Sequence, residues 1–377
     1  MKVIHSGSCN VLAGGPALST WLTIKGCRAC GCTVDLIMEP VNNGKIISND
    51  LKPIFTKQPI FGGFAYVPDF EKTIAKIGEA DIYHVQGLWM LHGTQLARYA
   101  RKHKKPYVVT LRGMLYPEAL SHNPLVKKLS LLIYQGKTLR EAAAIQVTCR
   151  EEMDHYRALG FKNPVAIIPN PIETEGIINQ PLQLKNQFRV GYLGRVHPRK
   201  RIERLIYAFG NLKKKLPANA ELLIIGGGDK SYEKFLRDEV SRLQLDNVRF
   251  TGFLSGKEKE TAIKSLSILG VPSDFENFGN IVTEALVYGV PVIASQGMPW
   301  QELPANGCGW WIPNDQDFID KTILEAFSLG PEKLREMGMR GRALMLKNYS
   351  VEALGEKMKQ LYLWILGETS KPDFVYD

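Results

Sequence analysis

Apolar runs of four to six residues recur along the chain, separated by longer stretches with apolar positions at helical spacing. Runs at 2–5, 33–38, 81–85, 107–111, 144–148 and 165–168 read as buried strands, and 91–104 and 150–159 as intervening helices. The pattern breaks at Ile168-Pro169-Asn170-Pro171-Ile172, where two prolines stop any element, and 173–187 reads as a linker. It then restarts: strands at 188–193, 221–225, 248–250, 266–271 and 291–294 alternate with helices at 202–215, 232–243 and 257–266 and another from residue 280. A last helix, 351–366, carries Leu354, Met358, Leu361, Tyr362 and Ile365 on one face, so it must pack on something. Strand–helix alternation predicts an α/β protein, and its restart predicts two domains. Two open sheets joined by a proline-containing hinge imply a cleft, with ligands outside the carboxyl ends of the strands.

At 377 residues the chain exceeds one ordinary core. No apolar run reaches the length of a transmembrane helix, and the N-terminus reads as the first strand, so a cytoplasmic enzyme is expected. Of the net charge of +10, +7 falls in residues 1–180, which favours acidic partners such as phosphates or anionic lipid. The six cysteines include Cys27, Cys30 and Cys32, but no second cluster follows. Free thiols are therefore expected and no metal site.

The chemistry concentrates in the second half. In 272–284, Pro272 ends a strand, Asn277 and Gly279 allow a tight turn, and an apolar helix begins at Asn280. Glu276 and Glu284 stand eight residues apart around that start. A carboxylate in such surroundings needs a partner, and the helix start offers N–H groups to an anion. Carboxylates suit hydroxyls and a helix end suits phosphate, so the stretch predicts a site for a polyhydroxylated anion. The strand at 188–193 ends in Gly194-Arg195 and runs on to Lys200. Arg195 and Lys200 place two positive charges where a departing diphosphate would need them.

The Gly-Arg-x4-Lys turn, the Glu-x7-Glu motif, the Pro-Asn-Pro hinge and the run 288–295 resemble those of the retaining glycosyltransferases of family four. The likeness spans nearly the whole chain and is strongest over 164–300. Arg112-Gly113-Met114-Leu115, residues 299–303 and Cys308-Gly309-Trp310-Trp311 are similar to a bacterial surface-polysaccharide subgroup. The resemblance implies a GT-B fold: two Rossmann-like domains facing across a cleft, an acceptor-side domain at 1–180 completed by 360–377, and a nucleotide-sugar domain at 186–359. It implies transfer of a hexose from a UDP- or GDP-linked sugar, as substrate and without a cofactor, to a glycan or lipid-linked saccharide. Such an acceptor can carry polyprenyl diphosphate.

By the same resemblance Arg195 and Lys200 hold the donor diphosphate and Glu276 the donor-sugar hydroxyls. Backbone N–H groups of Phe278, Gly279 and Asn280 lie near sugar and phosphate, Glu284 takes the ribose, and Phe253 lies beside the base. Gly14 and Gly15 approach the diphosphate from the other domain. Asn277 and Arg201 stand where glycine is usual. Arg112 replaces a histidine common in relatives, so no acceptor-activating histidine carries over there. Arg112 follows a strand and is assigned to acceptor phosphate or donor. His84, near a strand end facing the cleft, is assigned to the acceptor, with a satisfied structural histidine as the alternative. Without an Asp-x-Asp motif, metal-independent front-face transfer is expected.

Residues 124–140 mix Lys127, Lys128, Lys137 and Arg140 with Leu125, Leu129, Leu132 and Ile133; they form a basic helix face or rest on anionic lipid at the inner membrane face. Three other classes compete. An epimerase would convert free nucleotide sugar. A phosphorylase would need a pyridoxal-phosphate lysine site and a longer chain. A basic nucleic-acid-binding protein would show interleaved surface aromatics, which the sequence lacks, so nucleic acid is not expected as a partner.

Overall fold

A computed structural model of the chain describes residues 1–41, 45–60, 66–177 and 182–377; the linker expected over 173–187 lies outside the described residues at 178–181. The chain divides into two compact units, residues 1–173 with 350–377, and residues 174–349.

The first unit is built on β1 (Lys2–Ser6), β2 (Thr33–Met38), β3 (Ile54–Phe55), β4 (Ile82–Gln86), β5 (Tyr107–Thr110), β6 (Ala144–Val147) and β7 (Val165–Ile167), with β14 (Val375–Tyr376) from the chain's end. Their order is β14-β7-β6-β5-β4-β1-β2-β3, parallel except for β14 on β7. The second unit holds β8 (Arg189–Leu193), β9 (Glu221–Ile225), β10 (Val248–Gly252), β11 (Ile268–Val271), β12 (Val292–Ser295) and β13 (Gly309–Ile312). These run parallel in the order β10-β9-β8-β11-β12-β13. Both sheets are Rossmann-like and follow from the unbroken apolar runs: strands such as Tyr107–Thr110 and Glu221–Ile225 are buried along their whole length, as parallel sheets covered on both faces require. In each, strand order reverses beside the first strand, at β1/β4 and at β8/β11, and the crevice for a ligand opens at the carboxyl ends there.

The return to the first unit begins at Ser350, ten residues before the expected 360. The whole helix Val351–Ile365 is one element, capped by Ser350 Oγ accepting from Ala353 N at 3.1 Å. It lies against the helix Gly15–Ala29, where Gly26 and Gly355 meet. A Cβ on Gly355 would sit 2.4 Å from Gly26 O, so only glycine allows this crossing. The strands β3, β13 and β14 and the helices Gly15–Ala29, Phe70–Ile77 and Gln316–Asn348 are among the elements beyond those expected; β3 and β14 have two residues each, too few for a periodic signal.

Cys9, Cys27, Cys32, Cys149 and Cys308 are buried free thiols, and Cys30 is half-buried. Among the described residues no helix is long and apolar enough to cross a membrane, and no three His, Cys, Asp or Glu cluster as metal ligands.

Candidate functional site

In the second unit, the loops after β8 and β11 come together at the point of strand reversal. Gly194 (φ 136°) donates its N–H to Ile225 O at 3.0 Å, and a Cβ on Gly226 would lie 1.8 Å from Gly194 O. The backbone after β8 therefore crosses the Gly226-Gly227-Gly228 run after β9 at a spacing that excludes side chains at Gly226 and Gly228. Three glycines after a strand were a legible signal that the sequence reading did not use.

Beyond Gly194, Arg195 is exposed, and a short 3-10 turn, Pro198–Lys200, is capped by His197 Nδ1 accepting from Arg199 N at 3.2 Å. Lys200 reaches across to Glu276, and the two form an ion pair with side chains only 12% and 14% exposed. Ser273 Oγ donates to the same carboxylate at 3.3 Å. The two motifs, 76 residues apart in sequence, thus meet side chain to side chain. Burial, with Arg199 and Arg195 nearby, pulls Lys200 down to about 7, and the touching carboxylate favours its charged form. Arg201 occupies the left-handed region (φ 50°) where glycine is usual, and its Nε donates to Asp274 Oδ2 at 2.6 Å, a second tie between the motifs.

Glu276 is also fixed through its backbone, N–H to Gly297 O at 2.9 Å. Gly279 (φ 79°) turns the chain into the helix Asn280–Val287, and its carbonyl accepts from Val282 N at 2.9 Å. Phe278 is buried against Trp300 (centroids 5.2 Å apart), and Trp300 Nε1 donates to Phe278 O at 2.6 Å. Trp311 Nε1 donates to Met298 O at 2.8 Å. The segments 299–303 and 308–311 thus buttress the Glu276 loop. Glu284 is paired with Lys259 Nζ at 2.6 Å. Phe253, just past β10, is 80% exposed, available to stack.

In the first unit, the β1/β4 reversal opens into a cavity of about 390 Å³ lined by Gly7, Ser8, Thr20, Gln86, Glu39, Arg112 and neighbours. Gly14 (φ 64°) caps the helix Gly15–Ala29, whose first residues also line it. Glu39 pairs with His92 Nδ1 at 2.9 Å.

His84 does not reach this cavity, which corrects its assignment to the acceptor. It is fully buried, with Nδ1 on Tyr362 OH at 2.5 Å and Nε2 on Thr110 Oγ1 at 2.7 Å, because β4 is a central strand covered on both faces. It belongs to a chain of hydrogen bonds whose ends fix its direction. Arg112 can only donate, and gives to Gln86 Oε1 at 2.6 Å. Gln86 Nε2 gives to His5 Nδ1 at 3.1 Å, and His5 Nε2 to the Tyr362 oxygen at 3.2 Å. Tyr362 gives to His84 Nδ1, His84 Nε2 to Thr110, and Thr110 to Gln146 Oε1 at 2.6 Å. Gln146 Nε2 ends the chain at the Ile168 carbonyl, 3.0 Å away, which can only accept. Every position is used once only if both histidines are neutral. Burial agrees, driving His5 down to about 3 and His84 well below its ordinary value.

Two family models cover most of the chain: a glycosyl transferase 4-like domain over residues 14–171 and glycosyl transferases group 1 over 174–344. The chain is 27% identical over 267 residues to a phosphatidyl-myo-inositol mannosyltransferase of Mycobacterium leprae, covering 67% of this chain and 68% of that one. It is 28% identical to the capsular polysaccharide biosynthesis glycosyltransferase CapM of Staphylococcus aureus over 49% of this chain, and spans about half the length of that relative, 48%. In fold it matches HepE of Anabaena, solved with UDP and glucose, with a TM-score of 0.72 at 19% identity, covering 96% of this chain and 99% of that one. The two family models, one over each Rossmann-like unit, make this chain a member of the group 1 glycosyl transferases, the retaining family-four glycosyltransferases of GT-B fold.

Proposed function

We propose that this glycosyltransferase moves a hexosyl unit, with retention, from a UDP- or GDP-linked sugar to a glycan or polyprenyl-diphosphate-linked saccharide during surface-polysaccharide assembly in the cytoplasm. The observation that carries the reading is the Lys200–Glu276 ion pair at the β8/β11 reversal. Arg195 and Lys200 take the donor diphosphate, and Glu276 takes sugar hydroxyls. The N–H groups of Phe278, Gly279 and Asn280 face sugar and phosphate. Glu284, steadied by Lys259, accepts from the ribose, and Phe253 stacks near the base. Gly14 N–H is taken by Val11 O at 3.0 Å, so of the two glycines Gly15 is the one left to meet a phosphate through its backbone.

As the glycosidic bond breaks, the diphosphate gains negative charge, and Arg195, Lys200 and the helix start stabilise it in place. The acceptor hydroxyl then attacks the oxocarbenium-like sugar from the side the diphosphate leaves, passing its proton to that phosphate. Those cationic groups supply the neutralisation a divalent ion would otherwise give, so transfer persists in excess EDTA. The names of relatives support the polysaccharide and glycolipid setting.

The acceptor side rests on an anionic membrane through residues 124–140, where Leu125 (81%), Leu132 (78%) and Ile133 (67%) are exposed beside Lys128 and Lys137. Sedimentation with phosphatidylglycerol vesicles, but not phosphatidylcholine, and loss of it on L125S/L132S substitution, is the expected result. The central test is thermal: nucleoside diphosphates should raise the melting temperature of the wild type and not of Lys200→Ala. Stabilisation that survives in Lys200→Ala overturns the reading.

A further inference from the structure

Arg112 is a half-buried cation whose hydrogen bonds all go to uncharged oxygens. Its terminal nitrogens donate to Gln86 Oε1 at 2.6 Å, Thr20 Oγ1 at 3.2 Å and Asn170 Oδ1 at 3.2 Å. Its Nε is buried and has no partner. The carboxylate that acts on it most strongly is Glu152, whose oxygens are taken by Gly113 N, Thr148 N and Thr148 Oγ1. A guanidinium withdrawn from water normally has a carboxylate in contact, because an uncompensated charge costs several kcal/mol.

The backbone shows the same priority. Arg112 sits in the left-handed region at φ 53°, which a side chain of this size adopts only when its surroundings hold it there. Glu152 holds the next residue, and the directed chain through Gln86, His5, Tyr362 and His84 presents Arg112 with an acceptor that cannot turn into a donor while both histidines stay neutral. The side chain lines the 390 Å³ cavity, as do the first residues of the helix Gly15–Ala29, whose positive end adds to the field.

We propose that Arg112 is an anion receptor that makes the enzyme selective for a substrate saccharide bearing a carboxylate or a phosphate, whose oxygens complete the guanidinium's hydrogen bonds in the first unit's cavity. This deepens the glycosyltransferase reading and rests on it for the word substrate. Gln86, His5 and Tyr362 act behind Arg112 as positioning residues.

The test is calorimetric binding to the full chain with matched probes: UDP-glucose against UDP-glucuronate, GDP-mannose against GDP-mannuronate, and glucose against glucose 1-phosphate. A preference of tenfold or more for the acidic member of a nucleotide-sugar pair assigns the carboxylate. The same preference in the glucose pair assigns the phosphate. Arg112→Gln should bring the preference within twofold, and Arg112→Lys, which keeps the charge without the fork, should leave part of it. Equal affinities within every pair in the wild type, or a preference that survives in both variants, overturns the proposal. If no nucleoside diphosphate binds while the glucose pair keeps an Arg112-dependent preference, the donor assignment fails and the anion receptor stands.

Discussion

Replacing Glu276 by Gln keeps the size and hydrogen-bonding reach of the side chain and removes only its charge. Below about pH 7, where it carries its proton, Lys200 would then be a buried ammonium facing Arg199 and Arg195 with no carboxylate in contact. Breaking a fully buried pair from one side costs about 3–5 kcal/mol. Because 12% and 14% of these side chains stay exposed, water recovers part of this, and about 2–4 kcal/mol is expected. For a unit of this size that is a melting shift of roughly 5–15 °C. The substitution should also lower kcat/KM by at least about 100-fold, equivalent to about 2.7 kcal/mol in the transition state. Stability and catalysis separate in a double-mutant cycle: Lys200→Met with Glu276→Gln removes both charges and should regain most of the melting temperature while activity stays lost. Scanning fluorimetry and a donor-turnover assay on the four proteins measure the cycle. Near-normal turnover in Glu276→Gln, or additive losses in melting temperature, would refute the claim that this pair is both the keystone of the turn and part of the donor site.

With Lys200 lowered to about 7, much of it is neutral at pH 8, and a bound diphosphate would return it to the charged form. Nucleoside diphosphate binding at pH 8 should therefore take up close to one proton, read from calorimetry in buffers of different ionisation enthalpy, and Lys200→Met should abolish the uptake. His5 has a folded value of about 3 against 6.5 ordinarily, so the unfolded chain binds the extra proton between those values. Stability is complete above pH 6.5 and falls as pH drops toward 3. Between pH 6.5 and 4.5 His5 alone should cost roughly 2–3 kcal/mol, and His5→Asn should flatten that slope in urea titrations; an unchanged slope would count against the neutral chain. Gly355→Val should force apart the helices Gly15–Ala29 and Val351–Ile365, seen as faster amide exchange over 351–365, and unaltered protection would show that the crossing tolerates side chains.

Most of the architecture was legible because parallel strands buried on both faces leave long apolar runs. Runs such as 107–111 and 221–225 could hardly be anything else. The motifs around Arg195, Lys200 and Glu276 were legible for a related reason: glycine, proline and paired charges at strand ends are local signals. His84 shows the limit. Its sequence neighbours placed it near a strand end, whereas it is the middle residue of β4, and its fate depended on Tyr362, 278 residues away, which closes over it from the C-terminal helix. That the helix would pack was readable from its apolar face; what its one phenol would bond was not. Gly26 and Gly355 were equally silent, since a glycine that permits a helix crossing looks in sequence like any weak helix position.

The same reasoning explains why Arg112 looked ambiguous in the sequence and specific in the fold. Read along the chain, it is a cation after a strand. In three dimensions its context comes from β1, β4, β7's following loop and the C-terminal helix, through His5, Gln86, Asn170 and Tyr362. A histidine at this position could satisfy the chain by changing tautomer and could lose its charge. An arginine can do neither, so its neighbours must be built as acceptors, and they are. A fold that commits a central strand, two neutral histidines and a tyrosine to presenting one permanent cation has fixed the charge sign of what that cation meets. The acid sensitivity of His5 then links to selectivity: protonating it gives Gln86 a second donor to face, turns the amide, and removes the acceptor that holds Arg112. A sugar carboxylate itself loses charge near that pH, so the link is read at pH 7 with His5→Asn: discrimination for an acidic saccharide should weaken while nucleoside diphosphate binding in the second unit is unchanged.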